Sequence, residues 1–306
     1  MKLTRRDFLK ASAAVAAAFG LPGGAFLPRK EALALEAEDG GVPVVWLQAQ
    51  TCSGCSVSLL NSIYYKTADD LLANSLDLQF HPTMMAAAGN LAVAAAEKAY
   101  RRGGYVLVVE GAIPTAAGGE YCYLWPGLTA QKGVDRYSKR AAFILAVGTC
   151  ASYGGIPAGA PNPTGAQGLP ATLAGKTVIK VPGCPSHPDW IVGTVAYLLA
   201  NGTAPALDTR GRPTQFFGST VHSQCRYRDG WEEVDTLGLQ EGCLKEIGCK
   251  GPSTRGDCPI RKWNCPGAET VGVNWCIGAG APCFGCTEPG FPDFMSPFYE
   301  FEDGDD

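Results

Sequence analysis

Cysteine placement constrains this chain more than any other feature. Thirteen cysteines fall among 306 residues, five before Asn201 and eight after it. All of them follow an N-terminal run, Thr4-Arg5-Arg6-Asp7-Phe8-Leu9-Lys10. Exported cysteines ordinarily become disulfides, because the compartment beyond the membrane is oxidising. A twin-arginine signal points the other way, since it addresses chains that fold, often around a cofactor, before they cross. Thiolates that hold a cofactor are then loaded in the reducing cytoplasm. On these grounds metal clusters are the expectation and disulfides the alternative.

The apolar stretch 11–19 is short, alanine-rich and preceded by basic residues. That pattern is a signal h-region and not a membrane span. No run of about 18 apolar residues exists, so no transmembrane helix is expected in the mature chain. Ala32-Leu33-Ala34 supplies a cleavage site, which makes residues 1–34 the signal peptide and starts the mature chain near Leu35. Residues 1–34 hold Lys2, Arg5, Arg6, Lys10, Arg29 and Lys30 against Asp7 and Glu31, a net +4. Removing them takes the whole-chain charge of −4 to −8. So acidic a protein is a poor nucleic-acid binder and a good surface for a basic partner. The tail residues Glu300, Glu302, Asp303, Asp305 and Asp306 add to that character.

Short apolar runs alternate with helical stretches through the first two thirds of the chain. Residues 42–47, 76–80, 105–109, 141–147 and 177–181 read as strands, and most are continuously apolar as buried parallel strands are. Residues 67–73, 90–102, 128–139 and 189–199 read as helices. The alternation predicts an α/β fold with a doubly wound parallel sheet. From Asn201 to Pro213 the texture breaks at Gly202, Pro205, Gly211 and Pro213, and no sustained period follows. A domain boundary is placed near 205, giving domains 35–205 and 206–306. The second is too loop-rich to be held by apolar burial alone, so staples are expected there.

Three predicted strands lead straight into cysteine-bearing loops: Cys52-Ser53-Gly54-Cys55, Gly148-Thr149-Cys150 and Pro182-Gly183-Cys184-Pro185. In a parallel sheet the carboxyl ends share one edge, where ligands bind. Cys52, Cys55, Cys150 and Cys184 therefore converge. Four thiolates at one point suit a tetrahedral zinc or a [4Fe–4S] cubane, with iron–sulfur favoured. Glu110 ends another strand on the same edge. A carboxylate there influences cluster charge or carries protons, or else is a solvated loop residue bonding backbone amides.

His222-x-x-Cys225 with Cys243 and Cys249 makes a second four-ligand set, a combination that structural zinc also uses. His81 and His187, each beside a proline, read instead as packed or capping residues. Cys258, Cys276, Cys283 and Cys286 make a third set, for which Cys265 is an alternative member in place of Cys276. Cys122 reads as a buried free thiol. Three four-ligand sets, with neither an acid–base dyad nor a nucleophile elbow, describe an electron wire whose catalytic chemistry belongs to another polypeptide.

At these residues the sequence resembles the small subunit of nickel–iron hydrogenases. The matching stretches are Trp46-Leu47, the Cys52–Ser56 run, Glu110-Gly111, Gly148–Ala151 with Gly154-Gly155, and Pro182–Pro185. Further on come His222-x-x-Cys225, Gly248–Pro252, Cys283-x-x-Cys286 and Ser296–Tyr299. The resemblance implies a flavodoxin-like domain followed by a loop-rich iron–sulfur domain. It implies a proximal [4Fe–4S] cluster on the first set, a distal one on the second and a medial one on the third. A cysteine at 276, where many members have proline, is similar to the nickel–iron–selenium subgroup and implies a medial [4Fe–4S]; without Cys276 that cluster is [3Fe–4S]. Cys265 and its neighbours through Thr270 stand as an insertion relative to that pattern.

The implied function is electron relay in a heterodimeric, reversible H2-oxidising enzyme. A Ni–Fe or Ni–Fe–Se site belongs to its large subunit, and its implied redox partner is a lysine-rich multihaem cytochrome c. Since the chain ends on an acidic tail, a soluble periplasmic enzyme is expected. A related iron–sulfur subunit with a different catalytic partner is the alternative.

Overall fold

The computed structural model describes residues 41–63, 66–238, 241–263 and 274–299. The signal segment, Cys265 and the acidic tail lie outside them. Five parallel strands form the framework: β1 (Val42–Gln48), β2 (Leu76–Phe80), β3 (Val106–Glu110), β4 (Phe143–Val147) and β5 (Lys176–Val181). They lie in the order β2-β1-β3-β4-β5, and a two-residue strand, Thr172–Leu173, pairs antiparallel on the outer side of β5. This is the flavodoxin-like order, whose switch point falls between β1 and β3.

Side chains alternate faces along a strand, and both faces here are apolar. Val44, Trp46, Val106, Val108, Leu145 and Val181 face helices α1 (Gly54–Leu60) and α6 (Pro188–Asn201) through Leu59, Trp190, Ile191 and Val195. Val45, Leu47, Leu107, Val109, Ile144 and Val178 face α3 (Gly89–Arg102) and α4 (Ala130–Ser138) through Ala96, Ala99, Val134 and Tyr137. Two further helices complete the layers, α2 (Ala68–Asn74) and α5 (Gly148–Tyr153).

The structure corrects three details expected from sequence. The segment expected to be helical from 128 starts its helix at Ala130: Leu128–Thr129 pairs as a strand with Tyr123–Trp125, and the Thr129 hydroxyl caps α4 by accepting from the Lys132 amide at 3.3 Å. Cys55 and Cys150, expected in loops, sit in the first turns of α1 and α5. Cys122 is half-buried rather than buried.

Beyond Asn201 no described element exceeds four residues. A third apolar cluster of Val221, Tyr227, Leu244, Ile247, Trp275, Ile277 and Cys283 holds this region together, with Cys225, Cys243, Cys249 and Cys258 packed on it. Two links fasten it to the sheet. Phe216 and Phe217 enter the first apolar cluster, and the Lys180 amide of β5 donates to the Gly211 carbonyl at 2.8 Å. Within the region Arg212, 1% exposed, pairs with Glu288 at 2.8 Å and Asp208 at 2.8 Å.

Candidate metal centres

The sheet delivers Cys52, Cys55, Cys150 and Cys184 to one edge, as parallel topology requires. Burial first, then the charges of its neighbours, raises the Cys55 thiol, and the same causes bring Cys150 to about 11. Backbone amides point at these sulfurs. The Gly54 amide donates to Cys52 Sγ at 3.4 Å, Ser186 to Cys55 Sγ at 3.5 Å, and Ile156 to Cys150. Two glycines make room for the sulfurs. A Cβ on Gly148 (φ +84°) would lie 2.5 Å from Cys55 Sγ, and one on Gly155 (φ +52°) 2.9 Å from Cys150 Sγ.

Glu110 holds this edge in register. It is 1% exposed and so not solvated, though it does bond backbone amides as the loop alternative held. Its Oε1 accepts from the Cys55 amide (3.1 Å), the Ser56 amide (3.2 Å) and the Thr51 hydroxyl (3.2 Å). Its Oε2 accepts from Trp46 Nε1 (2.9 Å), Gln48 Nε2 (3.1 Å) and Ser56 Oγ (2.5 Å). A carboxylate suits this place because it accepts from several donors at once. The Ser56 hydroxyl also meets His81 Nε2 at 3.0 Å. His81 Nδ1 accepts from the Thr83 amide at 3.2 Å, which assigns the ring proton to Nε2. Burial lowers His81 to about 4, against the opposing charge of Glu110.

The third set is likewise together. Burial, then the charges of Cys286, Cys283, Asp257 and Cys276, push Cys258 well up. Burial and the charges of Cys276 and Cys283 raise Cys286, while burial brings Cys283 to about 12. In the second set Cys225, Cys243 and Cys249 interact mutually, and Cys249 Sγ and His222 flank Gly251 together.

The sets are joined in the order first, third, second. Cys286 receives the Cys184 amide on its sulfur and senses the Cys184 charge. The Cys283 amide donates to Cys249 Sγ at 3.4 Å, and the Cys283 carbonyl accepts from Lys250.

These donors fit iron–sulfur clusters. All twelve described cysteines are free. At Cys55, Cys150, Cys225, Cys249, Cys258, Cys283 and Cys286 burial, then like charge, disfavours the thiolate; a bound cation inverts that balance. Amides aimed at sulfur are the hydrogen bonds that tune such clusters. Among the described residues no group of three or more His, Cys, Asp or Glu side chains is placed to hold a metal ion.

The sheet order, the cysteine edge and the sulfur-directed amides define an electron-transfer protein on a flavodoxin-like frame. Residues 52–198 match the family described as NADH ubiquinone oxidoreductase, 20 Kd subunit, and residues 217–299 match the C-terminal family of the NiFe/NiFeSe hydrogenase small subunit. Residues 2–22 match the twin-arginine translocation signal. The chain is 41% identical to the periplasmic [NiFeSe] hydrogenase small subunit of Desulfomicrobium baculatum, over 99% of this chain and 100% of that one. It is also 41% identical to the periplasmic [NiFe] hydrogenase small subunit 1 of Nitratidesulfovibrio vulgaris Hildenborough, over 97% and 93%. The recombinant [NiFeSe] hydrogenase structure from Desulfovibrio vulgaris Hildenborough superposes with a TM-score of 0.77 at 40% identity, covering 87% of this chain and 99% of that one. The chain belongs to the nickel–iron hydrogenase small-subunit family. It is the electron-relay subunit of a hydrogenase heterodimer, exported to the periplasm by its twin-arginine signal. Among the described residues no helix is long and apolar enough to cross a membrane.

The spacing of the cysteines suggested three sulfur sets but pointed neither to Thr149 nor to the donors around Glu110. Gly148-Thr149 was visible as part of a motif, yet nothing local pointed Thr149 at a residue 137 positions away.

Proposed function

We propose that Cys52, Cys55, Cys150 and Cys184 hold a proximal [4Fe–4S] cluster facing the large subunit. Cys258, Cys276, Cys283 and Cys286 hold a medial [4Fe–4S], and His222, Cys225, Cys243 and Cys249 a distal one. When bound, such clusters take up and release single electrons. The chain's own residues fix the sulfurs and direct amides at them, while Glu110 keeps the Cys52–Ser56 turn in register. The observation that carries this reading is the joining of the three sets through Cys184–Cys286 and Cys283–Cys249.

Cys52 and Cys184 are exposed on this chain. Val57 and Leu60 stand exposed shortly after Cys52 in sequence, and Ile156 shortly after Cys150, apolar side chains suited to a large subunit with a Ni–Fe or Ni–Fe–Se site. The division into a signal (1–34), a sheet domain (35–205) and a cluster domain (206–306) follows the same reading. On the distal side the external partner is a basic multihaem cytochrome c, and the heterodimer runs H2 oxidation reversibly. Metal analysis with EPR of the reduced heterodimer tests the core of this. Iron and sulfide for three clusters support it; zinc without iron, or cysteines paired as disulfides, sink it.

A further inference from the structure

Thr149 lies between the first and third sulfur sets and belongs to neither. It is 1% exposed. Its hydroxyl accepts from the Gly183 amide at 2.9 Å and donates to the Cys286 carbonyl. Its own amide donates to the Gly183 carbonyl at 2.9 Å. Gly183 immediately precedes Cys184, and Cys286 closes the Cys283-x-x-Cys286 turn. One side chain therefore ties three backbone segments: the start of α5, the turn after β5, and the loop bearing Cys286. What the tie holds in place is the Cys184 amide against Cys286 Sγ.

We propose that Thr149 is the positioning residue for electron transfer between the proximal and medial ligand sets. By clamping the Cys286 carbonyl to the Gly183–Cys184 turn, it keeps a hydrogen-bonded bridge from a ligand of one set to the sulfur of a ligand of the next. One electron crosses, supplied by H2 oxidation in the large subunit, and no bond forms or breaks in this chain. Tunnelling decays more slowly through covalent and hydrogen bonds than through a gap. A hydroxyl that fixes such a bridge therefore controls rate without touching the reacting atoms. Valine has the shape of threonine but can neither accept from Gly183 nor donate to Cys286, and it leaves both groups buried and unpaired. Serine keeps both bonds. The inference rests on the ligand assignment proposed above.

The test uses the intact heterodimer with Thr149→Val and Thr149→Ser. Iron content and the EPR of each reduced preparation come first. Iron loss from the wild type and both variants alike, or zinc in place of iron, overturns the ligand assignment and the inference with it. With iron full, freeze-quench EPR after mixing with H2 follows reduction of the medial signal, divided by the H2/D2 exchange rate of the same preparation, which reports the large-subunit site alone. Thr149→Val is expected to slow that step about tenfold or more, as loss of an outer hydrogen-bond partner does at metal sites, and Thr149→Ser to restore it. If Thr149→Val does not assemble, Thr149→Ala carries the same expectation. A normal transfer rate in either variant lacking the hydroxyl, at full iron content, overturns the role of Thr149.

Discussion

Six donors converge on Glu110, three to each oxygen. Glutamine there keeps the size and the buried position but replaces one acceptor oxygen by an amide that itself donates. Whichever way the amide turns, its hydrogens confront donors already aimed inward. An unpaired buried donor costs about 1–3 kcal/mol, so Glu110→Gln is expected to destabilise the chain by about 2–4 kcal/mol. The check is the temperature of thermal inactivation of the heterodimer, which should fall by several degrees. Cys276 permits a cleaner substitution. Its φ of −52° lies within the range proline adopts, so Cys276→Pro removes a sulfur at little backbone cost. The expected outcome is a [3Fe–4S] signal in EPR of the oxidised protein. If that signal appears with Cys265→Ser and not with Cys276→Pro, the fourth medial ligand is Cys265.

At the scale of elements, two buried histidines hold turns together in their neutral form. His187 caps α6 by accepting from the Asp189 amide on Nδ1 at 3.0 Å, while Nε2 donates to the Lys262 carbonyl at 2.6 Å. In both rings Nδ1 faces an N–H, so a second ring proton has nowhere to go. Burial takes His187 to about 3 and His81 to about 4, below the ordinary value of 6.5. A histidine depressed in the fold stabilises fully above 6.5 and loses that contribution as pH falls toward its folded value. Asp189, raised to about 6 by burial, has the opposite sign between its ordinary 3.8 and 6. Two histidines against one aspartate leave a net loss of stability as pH falls from 6.5 to about 4. Denaturation midpoints measured across that window should drop, and His81→Gln should flatten the slope. An unchanged slope in that variant removes His81 from the account.

The same elements show what sequence carries. Strands β1 to β5 were legible because strands buried on both faces are continuously apolar, and the meeting of Cys52, Cys55, Cys150 and Cys184 followed from their shared carboxyl edge. Helices α1 and α5 were missed because six or seven residues beginning in glycine offer no apolar period. The Leu128–Thr129 pairing depends on tertiary contact with Tyr123–Trp125. Beyond Asn201 the chain lacks a period altogether, so the contact between Cys184 and Cys286 could be seen only in three dimensions.

On the scale of the whole molecule, the segment beside the second sulfur set presents exposed acidic side chains. The strand-like segment around Glu233 pairs with Cys243, and Glu232 accepts from the Cys243 amide on its carbonyl. Asp229, Glu232, Glu233, Asp235 and Glu241 are exposed on this segment and its flanks, against Arg226, Arg228 and Lys245. Acidic side chains thus outnumber basic ones where the second set meets solvent. Without residues 1–34 the chain carries −8, so the long-range field has the same sign. Such a surface speeds encounter with a basic partner by steering, and salt screens it over a Debye length of about 10 Å at 0.1 M. The second-order rate of reduction of a lysine-rich multihaem cytochrome by the H2-reduced heterodimer should therefore fall steeply with ionic strength, by roughly tenfold between low salt and 0.2 M. Neutralising Glu232, Glu233 and Asp235 together should lower the rate at low salt and remove most of the slope, leaving transfer to an uncharged dye as it was. A rate insensitive to salt, or a triple variant that keeps the full slope, would place cytochrome docking on another face.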